Sequence, residues 1–286
     1  MKLLIRYGLF PFMLLAVNGG ALLLIARDTP KLWLLALLVA AIALMFVAER
    51  IQPYNSDFNR SHNDLGRDFC HFIVNKAGEQ VTLLLLPLLV TLAPFSSAWP
   101  DNWPFALQVI AAVIVLDLGI TLAHYWSHHV PLLWRFHAVH HSVKRFYGFN
   151  GLMKHPLHQA FETSVGALPL ILIGIPVDVA VAMTFCVAIQ LLLQHSNADM
   201  RIGALKYIFA TNEIHRFHHR KEKGIGDVNF GLFLVIWDYL LGTFCYESRD
   251  RAFISGEIGI GSEPDYPQDY LGQLIRPFQA KRGNTF

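Results

Sequence analysis

The stretch Asp117–His141, DLGITLAHYWSHHVPLLWRFHAVHH, decides how this chain reads. It holds six histidines between His124 and His141. His124 and His128 lie four apart, and His137, His140 and His141 spell H-x-x-H-H. The same spelling returns at His215, His218 and His219. Residues three and four apart are neighbours on a helix surface. Each set therefore aims imidazoles from one helical side toward a common point, as a metal site built on helices requires.

The residues around this stretch identify the solvent. The 286 residues are 54% hydrophobic and only 15% charged, against roughly 25% charged in soluble domains. The mean hydropathy is +0.40. Both values point to a membrane. A net charge of +2 with no basic run gives no footing for nucleic acid. Cys70, Cys186 and Cys245 are far apart and form no C-x-x-C, so neither a disulfide framework nor a thiolate metal site is expected.

Apolar runs at 7–26 and 32–48 read as a transmembrane hairpin, each near the ~20 residues a crossing needs. Arg27, Asp28, Thr29 and Pro30 form a turn between them rather than a cleavage site. Residues 49–80 are mixed and read as an amphipathic connector, with His62 and His71 standing alone in it. Further apolar runs cover 81–99, 105–126, 160–174 and 177–194. The turns near 94–104 and 174–178 carry no Lys or Arg, whereas 49–80, 135–154 and 201–223 carry many. Cytoplasmic loops are enriched in Lys and Arg, so both termini and all the histidine sets are expected on the cytoplasmic side. The turn with Arg27 and Lys31 dissents. The expected fold is an all-α integral membrane protein of about four to six transmembrane helices with a cytoplasmic helical cap that carries the histidines. Its expected divisions are an N-terminal hairpin (1–48), the connector (49–80), a membrane domain with the histidine sets (81–245) and a cytoplasmic C-terminal tail (246–286).

Imidazole suits iron, zinc, copper and nickel. The three sets with His155 and His195 exceed what one ion can hold but suit two. Glu213, Glu222, Asp227 and Asp238 stand near the last set as possible oxygen ligands, the two glutamates reading rather as solvated charges. Asp117 lies two helical turns before His124, on the same side. A carboxylate within a span is costly and usually partnered, so Asp117 is expected to receive a histidine N–H and orient that ring. His129 projects about 100° away from His128 and reads as interfacial.

The chain resembles the fatty acid hydroxylase/sterol desaturase superfamily of membrane histidine-box oxygenases. The resemblance rests on Asp117…His124-x-x-x-His128, on Pro131–Ser142, on His155-Pro156-Leu157 and on Gln194-His195-Ser196-Asn197. It continues through His215-Arg216-Phe217-His218-His219, Asp227–Gly231 and Trp237–Phe244. It implies a non-haem centre of two iron ions that uses O2 on a C–H bond of a lipid, by hydroxylation or desaturation. The implied ligands are His124, His128, His137, His140, His141, His215, His218 and His219, with His195 ninth and His155 tenth. Asn229, inside Asp227–Gly231, is a further candidate. Two positions depart from the family pattern. Tyr125 stands where Arg is common, and His158 stands where a Glu is common, which leaves open which of His155 and His158 points inward. No G-x-G-x-x-G follows a strand and no C-x-x-C-H is present. Electrons are therefore expected from a separate cytochrome, ferredoxin or reductase, and a bacterial inner membrane is the expected location. A metal transporter and a non-catalytic lipid-binding relative are the competing readings. Transport would place ligands near the bilayer midplane, whereas these gather at span ends.

Overall fold

The structure is a computed structural model that describes residues 1–90, 98–222, 225–248 and 251–279. Among the described residues it is helical throughout, with three isolated β-bridges and no strand. Helix α1 (Lys2–Pro11) runs through one π-helical stretch, Phe12–Val17, into α2 (Asn18–Ala26). Then come α3 (Lys31–Ile51), α4 (Leu65–Val90), α5 (Phe105–His129), α6 (Pro131–His141), α7 (Pro156–Leu172) and α8 (Val177–His195). Three short helices complete the cap: α9 (Asn212–His215), α10 (Ile236–Leu241) and α11 (Tyr270–Ile275).

Among the described residues, four helices are long and apolar enough to cross a bilayer: Lys2–Ala26, α3, α5 and α8. The expected span at 81–99 runs into residues 91–97, outside the described residues. Helix α4 carries the connector at 65–80 into that apolar run without a break. Proline sets several of the boundaries. Pro30, Pro104 and Pro176 stand directly before α3, α5 and α8, and Pro131 and Pro156 open α6 and α7. At these positions the missing N–H costs nothing, because the first helical N–H groups have no partner inside the helix. Leu35, Val39 and Val47 of α3 and Leu107, Ile110 and Ile114 of α5 face outward. In a lipid solvent an apolar exterior satisfies the helix, and no driving force turns it inward.

Helix α5 is the centre post, packed against both α7 and α8. Its approach to α7 is backbone on backbone: a Cβ on Gly119 would stand 2.7 Å from the Gly166 Cα and 2.7 Å from the Val165 carbonyl oxygen. Small residues permit such contact between membrane helices. One apolar core joins α1, α2, α3 and α8 around Met13, Met45 and Ile189. A second joins α5, α7 and α8 around Ala112, Leu170 and Met183. The cap has its own core of Phe58, Phe146, Phe217, Phe253 and Ile258. A buried ion pair and a buried hydrogen bond lock the cap onto the start of α4: Arg145 donates to Asp64, the residue before the helix, at 2.7 Å, and the Tyr147 hydroxyl donates to Asp68 at 2.6 Å.

Candidate metal centre

The histidines stand where helices end. His124 and His128 occupy the last turns of α5, His137, His140 and His141 the end of α6, His195 the last position of α8, and His215 the last of α9. Their ring nitrogens converge into two groups. The first comprises His124, His128, His137, His141 and His218, and the second His140, His195, His215 and His219. The groups share a wall, with ring centroids 4.6 Å apart for His141 and His219 and 4.9 Å for His215 and His218.

Each H-x-x-H-H set divides between the groups. The members four apart (His137 with His141, His215 with His219) go to one group, and the middle member (His140, His218) goes to the other. In α6, residues four apart differ by about 40° around the axis while His140 lies about 100° from His141; in the second set α9 ends at His215, and the turn that follows carries His218 to one group and His219 to the other.

The outer nitrogens show which ring atoms are free for a ligand. His124 Nδ1 meets the Phe230 carbonyl at 3.0 Å, His218 Nδ1 the Val228 carbonyl at 2.8 Å and His140 Nδ1 the Met153 carbonyl at 3.1 Å. A carbonyl only accepts, so these Nδ1 atoms carry the hydrogen and Nε2 keeps its lone pair. His128 Nδ1 likewise donates to the Asp227 carboxylate at 2.8 Å. Such partners fix the tautomer and ring angle of metal-ligating histidines. Among the described residues, Nε2 of His124 and of His218 is buried and has no partner.

These residues fit a metal. Nε2 atoms face one another at 3.1 Å for His128 and His141, 3.0 Å for His141 and His137, and 3.3 Å for His195 and His140. His215 stands 3.1 Å from His195 and 3.1 Å from His219 in the same way. Imidazoles bonded to one ion at about 2.0–2.1 Å place neighbouring nitrogens about 2.9 Å apart at right angles and about 3.4 Å apart at the tetrahedral angle. Burial first, then the neighbouring histidines, hold His137, His141, His215 and His219 well below the usual histidine pKa. Neutral imidazole is the ligating form.

Several expected residues are placed elsewhere. His155 is not brought to either group. Its Nδ1 accepts the Leu157 N–H at 3.2 Å and caps α7, so its Nε2 carries the hydrogen toward the Leu274 carbonyl at 3.2 Å. No lone pair remains for a metal. His158 is the one that points inward, with its ring 4.5 Å from that of His137 and its Nε2 2.8 Å from the Ser127 hydroxyl. Asp117 receives no histidine N–H among the described residues. It accepts the backbone N–H groups of Leu232 (3.1 Å), Phe233 (2.8 Å) and Leu234 (3.0 Å), and Trp237 Nε1 at 2.8 Å. It therefore reaches His124 only through the segment that carries the Phe230 carbonyl. Asp238 holds the same segment from the other side, through the N–H groups of Phe230 and Gly231 at 2.7 and 3.0 Å. Asn229 is spent on backbone: it donates to the Ile214 and Cys245 carbonyls and accepts the Cys245 N–H. Its positive φ of 56° marks a tight bend. Glu213 is buried rather than solvated, beside Tyr246, Arg201 and Lys206.

Glu162 was not read from the sequence. It groups with His137 and His158 and pairs with Lys154. Its spacing four after His158 puts both on one side of α7, and that was the available signal.

Gly151 packs directly against the second group. A Cβ there would stand 2.8 Å from His195 Nδ1 and 3.2 Å from the Leu191 carbonyl oxygen. Gly151→Ala is expected to push the His195 ring aside, lower metal retention and cost about 1–3 kcal/mol of stability. Metal content and thermal unfolding of the purified variant check this, and wild-type values for both would refute it.

A family model described as Fatty acid hydroxylase matches residues 109–243. An ornithine lipid hydroxylase of Rhizobium tropici is 35% identical over 282 residues, which cover 96% of this chain and 84% of that protein. An alkylglycerol monooxygenase of Danio rerio is 31% identical over 150 residues, 52% of this chain but 32% of that protein. Sphinganine C4-monooxygenase 2 of Arabidopsis thaliana is 27% identical over 149 residues, 51% of this chain and 57% of that protein. No solved structure matches the chain significantly. The chain belongs to the fatty acid hydroxylase/sterol desaturase superfamily. Its matched relatives are lipid hydroxylases and monooxygenases, and its histidine clusters suit that class of membrane oxidoreductase.

Proposed function

We propose that the two histidine groups hold a pair of iron ions and that the protein hydroxylates a C–H bond of an ornithine-type aminolipid with O2. The observation that carries this reading is the convergence of nine buried or nearly buried histidines into two abutting groups at metal–ligand spacing. The substrate class follows the Rhizobium relative, whose similarity extends along 96% of this chain. Hydroxylation is favoured over desaturation because the relatives bear hydroxylase and monooxygenase names.

Iron, when bound, supplies the redox chemistry that activates O2. The protein's part is orientation and exclusion of water. The Phe230, Val228 and Met153 carbonyls and Asp227 hold ring nitrogens toward the centre. The Phe230 ring lies against His124, His128 and His218, with centroids 5.4, 5.1 and 5.4 Å away, and closes that side with an apolar wall. The histidine groups sit at the ends of α5 and α8, so an acyl chain reaches them sideways from the bilayer while bulk water stays on the far side of the cap. Loop charge favours a cytoplasmic cap in a bacterial inner membrane. A separate electron carrier completes the reaction, docking on the basic cap face.

The test is metal analysis of the purified protein together with the lipids of cells that express it aerobically. The expected result is about two irons per chain and an ornithine lipid gaining the mass of one oxygen atom. Folded protein from cells grown with ample iron that carries no iron, together with an unchanged lipid profile, would sink the proposal.

A further inference from the structure

The first half of α4 is inside out. Its polar residues Arg67, Asp68, His71 and Asn75 are buried, while Leu65, Phe69 and Ile73, spaced one turn apart, face outward and are 56, 55 and 49% exposed. The C-terminal segment shows the same inversion. Gln273 is fully buried, whereas Leu271, Ile275 and Phe278 are 66, 53 and 63% exposed. The two elements pack together through their polar sides: His71 Nε2 meets Gln273 Oε1 at 2.8 Å, and the His71 ring lies 4.8 Å from that of Tyr270. Water selects the opposite arrangement, with the apolar stripe of a helix turned to the core.

A second observation sets the depth. Phe46, near the upper end of the span α3, packs on Phe149 at 5.0 Å, and Phe149 stacks on Phe72 of α4 at 5.3 Å. The inverted half of α4 is thus held level with the end of a span whose Val47 faces outward. The outward residues of both elements continue the lipid-facing surface at the height where the spans leave the membrane.

We propose that the first half of α4 and the segment Tyr270–Phe278 form a collar seated in the headgroup–acyl boundary of the bilayer, apolar side outward. The partner of this surface is the lipid itself. Interfacial helices sink an apolar side into that boundary while polar groups point away; here the polar groups point into the protein. The C-terminal segment is therefore a membrane-seated element rather than a tail in the cytoplasm. It also touches the surroundings of the metal centre, since Gln273 donates to the Ser142 hydroxyl next to His141, and His155 donates to the Leu274 carbonyl. The assignment is independent of which metal or reaction the centre supports.

The test is nitroxide labelling of the full chain in phospholipid vesicles, read as collision with dissolved oxygen against collision with a polar nickel chelate. Labels go on the native, exposed Cys70, and on Leu271→Cys and Ile275→Cys with the other cysteines replaced. Val47→Cys serves as the lipid reference and Glu222→Cys as the water reference. The expected oxygen-to-nickel ratio at all three collar positions is several-fold above that at Glu222→Cys and close to that at Val47→Cys. A ratio matching Glu222→Cys would show an aqueous surface and overturn the proposal. Low collision with both probes would show a covering protein or second copy, and would overturn it as well. The Cys70 label needs no substitution at the site it reports, so the test stands if either C-terminal variant misfolds.

Discussion

His218→Ala is expected to cut metal content from about two ions per chain toward one and to lower lipid hydroxylation by on the order of 100-fold or more. His218 Nε2 is a buried lone pair aimed at the first histidine group, and its Nδ1–H is anchored on the Val228 carbonyl. Removing the ring deletes one of five nitrogens and leaves that carbonyl without its donor. Alanine is small and His218 sits in a turn rather than a span, so the fold should survive. Inductively coupled plasma mass spectrometry on wild type and variant measures the first effect, and lipid mass spectrometry of expressing cells the second. Full metal retention with undiminished product would refute the assignment of His218.

Asp117→Asn is expected to act differently, by loosening the fold before the metal is lost. Asp117 is fully buried in α5, and its two oxygens collect four N–H donors from one short segment. An asparagine amide turns one acceptor into a donor, so at least one N–H faces another N–H. Breaking a buried, charge-assisted network of this kind costs about 3–5 kcal/mol. The segment at 230–234 then loses its anchor on α5, and with it the Phe230 carbonyl that holds His124. Thermal unfolding should fall by a similar amount in metal-loaded and chelator-stripped protein, whereas His218→Ala should lower the metal-loaded value much more than the stripped one. An unchanged stripped-protein midpoint for Asp117→Asn would contradict this account.

Asp117 also illustrates how far the sequence could be read. That a carboxylate within a span has partners was legible, because lipid leaves no alternative. Which partners was not. Spacing along α5 points to His124, but the donors come from residues more than a hundred positions away, and only the fold brings them there. The helices and their apolar character were legible from composition and run length, as was the gathering of histidines at helix ends. The choice of His158 over His155 was not, because it turns on a helix cap: the nitrogen of His155 that accepts the Leu157 N–H at the start of α7 is no longer free. The burial of Glu213 was hidden for a related reason, since its cationic neighbours Arg201 and Lys206 lie on a different turn of the cap. Nor could a reader of spacing alone know that each H-x-x-H-H set would divide, since that depends on where two separate helix ends meet.

That division makes each loaded ion a cross-link rather than an ornament of one helix. An ion in the first group ties α5 and α6 to the turn after α9, and an ion in the second ties α6, α8 and α9 together. Because α6 and the His215–His219 turn serve both, filling either position stiffens most of the ligands of the other, three of five in the first group or three of four in the second, before its own ion arrives. Occupancy should therefore rise as a pair. With too little metal to go round, the protein would then be a mixture of empty and fully loaded molecules, with little of the half-loaded form.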